Sequence, residues 1–176
     1  MKENGHTGLY GKIGFTLVEM ICVLLLLGII GLLSTRVFTN MVKGYTLAKN
    51  SDAAVQKAQN AMQRMTIDFT YMLVNVSSGT SNTITYNTSL NNALQISIYQ
   101  SGNIIYYSFS GGIYPLADGV KSNSLQFAYY NTYNSPADNA MTSGTSLIGI
   151  RYTMVGSDAN SGFSQTYATR VKAGKL

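Results

Sequence analysis

The 176-residue chain carries one cysteine, Cys22, and one histidine, His6. A lone cysteine excludes any disulfide within the chain, so whatever folds must be held by its own core. A lone histidine excludes a His/Cys metal cluster, and no Ser or Thr has a candidate base with plausible support. Charge is also scarce, at 11% of residues, and from Phe69 to Ala117 there is no charged side chain at all. Ser, Thr, Asn, Gln and Tyr supply the polarity there. Such a surface is soluble yet does not repel copies of itself, which suits lateral packing. An ordinary Tyr- and Asn-rich surface has the same composition, and both readings stay open. The later acids, Asp118, Asp138 and Asp158, stand singly in segments read as loops and are expected to form turns. Asp138-Asn139 and Asp158-x-Asn160 each offer a single carboxylate, too few for a hard dication, so neither calcium nor any cofactor is expected. None of this indicates an enzyme.

What the chain does have is a long apolar run. From Phe15 to Thr35 the only charged residue is Glu19, and Arg36 ends the run. At about 1.5 Å per residue this stretch makes a helix of roughly 31 Å, enough to span a bilayer. Its Leu, Ile, Val and Phe residues contribute roughly −4 to −8 kcal/mol on an insertion scale, against about 2.5–3.5 kcal/mol for an acid at the centre and less near an end. Insertion therefore wins, and the Glu inside the run calls for a partner. A secretory signal with a cleavage site after small residues does not fit Leu33-Ser34-Thr35-Arg36. A lipoprotein signal does not fit either, because Met20-Ile21 precede Cys22 inside the run. The flanking charges, Lys2 and Lys12 with Glu3 before the run and Arg36, Lys43 and Lys49 after it, do not fix the orientation.

Gly14-Phe15-Thr16-Leu17-Val18-Glu19, with Lys12 just before it, resembles the class III signal of type IV prepilins and type II secretion pseudopilins. The resemblance covers residues 11–35 and joins cut site, Phe, Glu and apolar run in one register. It implies that a prepilin peptidase cuts between Gly14 and Phe15 and that the new amine of Phe15 is methylated. It also implies that Glu19 pairs with the N-terminal amine of a neighbouring subunit during assembly. The expected partners are the peptidase, other pilins or pseudopilins, an inner-membrane assembly platform and membrane lipid. The implied location is a bacterial inner membrane, with the leader cytoplasmic and the rest of the chain outside, and later a fibre. Losing Lys2, Glu3 and Lys12 would lower the formal charge of +5 by one. A single-pass helix with one stray Glu and no processing is the bland alternative.

Past the run, Phe38, Met41, Tyr45, Ala48, Val55, Ala58, Met62, Met65, Phe69, Met72 and Val76 follow at steps of three or four, broken by Asp52. That spacing predicts a helix from about Thr16 to about Val76, weakened near Gly44, with its second half packed on a sheet. The Met-rich stripe reads as core rather than as a groove. Ser77–Asn82 then reads as a loop. Thr83–Asn87, a hairpin over 94–109, Ser124–Tyr130, Leu147–Val155 and Phe163–Val171 read as strands, with Gly156–Gly162 as a turn and 131–146 as a long loop. The expected fold is α+β: a leader over 1–14, an apolar helix over 15–35, an outer helix half over 36–76, and an antiparallel β domain over 77–176.

Tyr114-Pro115-Leu116-Ala117-Asp118-Gly119-Val120, then Leu125-Gln126-Phe127-Ala128-Tyr129-Tyr130, and finally Tyr167-Ala168-Thr169-Arg170-Val171, resemble J-type minor pseudopilins and related minor pilins. This implies a minor subunit that enters or primes a fibre. A second reading is a minor pilin of the DNA-uptake or adhesion type. There Arg151, Arg170, Lys172 and Lys175 would form a basic ligand patch, for nucleic acid among other ligands, if the last two strands pair. A solvated tail is the bland alternative.

Overall fold

The computed structural model describes residues 14–89, 91–155 and 162–174. The chain falls into two compact units divided between Tyr45 and Thr46. The helix α1 (Leu17–Ile67) contributes to both and is unbroken at Gly44. In the first unit every described side chain is exposed, and the helix there is long and apolar enough to cross a membrane.

The second unit is α+β. A five-stranded antiparallel meander runs β1 (Leu73–Gly79), β2 (Thr83–Thr88), β3 (Asn91–Ser101), β4 (Ile104–Phe109) and β5 (Gly112–Asp118). A separate three-stranded antiparallel sheet follows, β6 (Gln126–Tyr130), β7 (Leu147–Met154) and β8 (Gln165–Lys172). The expected single β domain is therefore two sheets. β5 was absent from the sequence reading. Its turn, Ser110-Gly111, holds both residues at positive φ, the geometry that lets a two-residue loop follow the twist of its strands.

The helix is shorter than its periodicity suggests. It closes in a π turn (Asp68–Met72), where the amide of Leu73 reaches back to the carbonyl of Asp68, and Leu73 is already extended. Leu73–Val76 are strand rather than helix, and Ser77–Gly79 are strand rather than loop. The buried face also differs from the expected stripe. Ala54, Ala58, Ala61, Met65 and Phe69 face the core, while Val55 and Met62 sit at its margin and Phe38, Met41, Tyr45 and Ala48 are exposed. Alanine lets helix and sheet backbones approach. The Tyr152 hydroxyl donates directly to the Ala58 carbonyl at 2.6 Å.

Strand alternation supplies the rest of the core: Ile84 and Tyr86, Ile96 and Ile98, Phe127 and Tyr129, Ile148, Ile150 and Tyr152. Phe69 meets Tyr86 edge-on at 5.6 Å and Phe127 at 6.1 Å, so one ring at the helix end touches both sheets. Past β8 the chain returns to the same place. The amide of Gly174 donates to the Phe69 carbonyl at 2.9 Å. A Cβ on Gly174 would lie 2.7 Å from the Thr70 carbonyl oxygen, which requires glycine at this close approach. The Gly156–Gly162 turn lies outside the described residues apart from Gly162.

Candidate functional site

Two regions carry the sequence-predicted residues, one in each unit. In the first, Gly14, Phe15 and Thr16 precede the helix, and Phe15 is 74% exposed. Thr16 caps α1: its Oγ1 accepts the Glu19 amide at 3.3 Å, and its carbonyl accepts the Met20 amide at 3.2 Å. Thr16-Leu17-Val18-Glu19 thus has capping-box spacing, and Glu19 lies in the first turn, where the helix dipole favours an anion. The cap was not part of the sequence reading, although the Thr-x-x-Glu spacing announces it. Glu19 is exposed and surrounded in sequence by exposed Leu17, Val18, Met20 and Ile21.

The second region is the outer face of the three-stranded sheet. β7 and β8 do pair, with Leu147 opposite Lys172, Gly149 opposite Arg170 and Arg151 opposite Ala168. This register puts Arg151, Arg170 and Lys172 on one face, all exposed. Gly149 carries no side chain, and Ala128 and Ala168 carry small ones, so the face is hollowed into an open depression of about 590 Å³. Tyr130 leans across Gly149, where a Cβ would come within 3.0 Å of its ring. The Arg170 guanidinium lies 4.1 Å over Tyr130 and 5.7 Å from Tyr133, and donates to the Tyr133 carbonyl at 3.1 Å. That cation is held in place by cation–π contact and a hydrogen bond. Arg151 lines the same depression with no polar partner among the described residues. Lys172 stands beside it, and Lys175 lies outside the described residues.

The acids behave differently from the turn formers expected. Asp118 ends β5 and its carboxylate takes the Lys57 ammonium at 2.6 Å. Asp138 forms a bridge with Tyr129 through paired backbone bonds at 2.9 and 3.0 Å. Asp158 and Asn160 lie outside the described residues. Among the described residues no three His, Cys, Asp or Glu side chains come together.

A charge cluster missing from the sequence reading sits at the end of α1. Asp68 is fully buried. Its Oδ2 accepts the Tyr86 hydroxyl at 2.9 Å, and Arg64 reaches the carboxylate at 3.2 Å while donating to the Tyr107 hydroxyl at 3.2 Å. Burial first, and then the adjacent carboxylate, push the Tyr86 phenol far above its ordinary range, so the phenol keeps the proton it donates. The hydrogen bond to Tyr107 raises Arg64. The cluster runs from buried Asp68 and Tyr86 out to half-exposed Arg64 and knits the helix end to β2 and β4. The sequence signal for it was the Arg-x-x-x-Asp spacing one residue before the charge-free stretch begins.

No family model, no curated protein and no solved structure matches this chain.

Proposed function

We propose that the chain is a minor pilin or pseudopilin, a structural subunit cut after Gly14, methylated on Phe15 and added to a type IV pilus or a type II secretion pseudopilus, or priming one. One observation carries this reading: a lone carboxylate, Glu19, stands in the first turn of an exposed, membrane-length apolar helix, as the fifth residue after the Gly14–Phe15 junction. In this reading the helix embeds in lipid and supplies the assembly core, and the β domain faces away from the membrane. The leader lies in the cytoplasm, the membrane is a bacterial inner membrane, and the partners are a prepilin peptidase, an assembly platform and other subunits. Glu19 receives the Phe15 amine of a neighbour. A buried pair of that kind sets register more than it adds net stability, because desolvation offsets attraction.

Intact mass and N-terminal sequencing of protein from membranes, with and without a prepilin peptidase, test this directly. A start at Phe15 with one added methyl group is expected when the peptidase is present. An intact Met1 start in its presence would make the chain an ordinary signal-anchored membrane protein.

The basic depression favours a second reading, a minor pilin of the DNA-uptake or adhesion type. Arg151, Arg170 and Lys172 share a face on which aromatic rings also stand, the composition of a backbone-tracking nucleic-acid surface. The purified full chain is then expected to bind DNA in a salt-dependent manner. Arg151→Ala, which removes no packing contact seen at Arg170, should lower the slope of log affinity against log salt by about 0.7–0.9. A filter-binding titration across salt concentrations measures it, and no binding even at low salt would remove this reading.

A further inference from the structure

The five-stranded sheet leaves its outward face open, and that face has an unusual chemistry. The strand register sets two rows across it. Ser78, Thr85, Ser97 and Ser108 stand side by side on β1 to β4. Beside them Thr83, Tyr99 and Tyr106 form the next row. At about 4.8 Å per strand, the four hydroxyls of the first row span roughly 14 Å. In the second row the rings of Tyr99 and Tyr106 stack at 5.7 Å with their planes 27° apart, and both remain partly exposed. Neither row contains a charged side chain, and the sequence supplies none between Phe69 and Ala117.

We propose that this face binds a neutral polysaccharide. The stacked, partly exposed Tyr99–Tyr106 pair adds apolar ring surface and two phenol hydroxyls beside the Ser/Thr row, contacts that the C–H and O–H groups of a sugar can both use. Each Ser or Thr hydroxyl both donates and accepts, as a sugar hydroxyl does; Thr85 and Ser97 already share one bond at 2.9 Å and keep capacity for more. Strands hold these groups rigid, so little ordering is lost on binding. The other ligand classes fit less well. Nucleic acid and anionic lipid require cations, which the rows lack. A second copy of the chain is not repelled by so uncharged a face, but the apolar residues that the fully buried centre of an interface favours are confined to the edge strand, at Ile113, while the centre is hydroxylated.

The test is retention of the full-length protein on insoluble cellulose and on chitin, in a detergent without a sugar head group. Retention on at least one is expected, unchanged between about 0.05 M and about 1 M salt because no charges are involved. Tyr99→Ala and Tyr106→Ala should each weaken retention by roughly tenfold or more, and Ser97→Lys should weaken it similarly. Tyr114→Ala, an exposed tyrosine outside the two rows, should leave it unchanged. The melting temperature of each variant separates loss of binding from loss of fold. Absence of retention, retention only at low salt, or equal retention of the Tyr variants would overturn the proposal. So would self-association that Ser97→Lys abolishes without any sugar retention, which would make the face a contact between copies.

Discussion

Glu19→Val is expected to leave the protein in the membrane and to remove it from assembled fibres. The substitution deletes the only charge from the apolar run and makes insertion more favourable, by up to about 3–4 kcal/mol at mid-membrane and less near an end. A defect in assembly therefore could not come from failed insertion. Thr16 still caps α1 through its own hydroxyl, so helix formation should survive the change. What disappears is the group that receives a neighbour's amine. Membrane fractionation should show normal protein, while sheared fibres or crosslinked complexes should contain less than roughly a tenth of it, the loss expected when about 1.4 kcal/mol or more of pairing specificity is removed. Normal incorporation would leave Glu19 with only its local place in the capping turn.

Arg64→Ala is expected to destabilise the β-bearing unit by about 3 kcal/mol, the lower end for stripping the partner from a buried charge because the Arg64 side chain is itself half exposed. Asp68 would be left fully buried, with Tyr86 as its remaining donor. In a unit of this size that corresponds to a melting temperature about 10 °C lower. The sign of a second change makes the argument specific: Asp68→Asn added to Arg64→Ala should recover part of the loss, because it removes the orphaned charge. No recovery would show that Arg64 acts by packing alone. Alkaline pH probes the same cluster. An unfolded tyrosine ionises near about pH 10, whereas buried Tyr86 stays protonated well beyond, so the native state binds more protons there and stability falls as pH rises above about 10. Tyr86→Phe should flatten that fall. Thermal melts of the full chain in detergent, followed by near-ultraviolet circular dichroism, measure all three.

How much of this was legible in the sequence depended on whether a pattern has a period. The apolar run, the hairpin over 94–109 and the strands over 83–87, 124–130, 147–155 and 163–171 follow from alternation and turn residues; the structure places the strand ends within one or two residues, except that the hairpin's first strand starts three residues earlier, at Asn91. The helix end did not. Met72 and Val76 continue the three-four rhythm, but the chain leaves the helix at Ile67 because the π turn brings Asp68 and Phe69 together into the core. The three-or-four spacing runs through Val55 and Met62 rather than Ala54 and Ala61, yet close approach to the sheets selects the small side chains. β5 was hidden because Pro115 and the extra residue of a bulge, Leu116, blur its alternation, although the Ser-Gly turn before it was visible. At the outer patch, the three basic residues could be placed on a shared face only if β7 and β8 paired. The hollow at Gly149 and the stacking of Arg170 on Tyr130 depend on cross-strand register, which no local pattern contains.

The return of Gly174 to the end of α1 has a consequence for how the protein is made. Phe69 and Leu73 emerge early in synthesis, but Val171 and Ala173, which help to enclose the core, come about a hundred residues later. The unit cannot close until its last strand has been delivered, and that closure joins segments distant in the chain, a slow step by the standards of local contacts. Through most of translation the aromatic centre is therefore uncovered, so a nascent chain of this kind depends on being kept apart from its siblings until the final strand arrives.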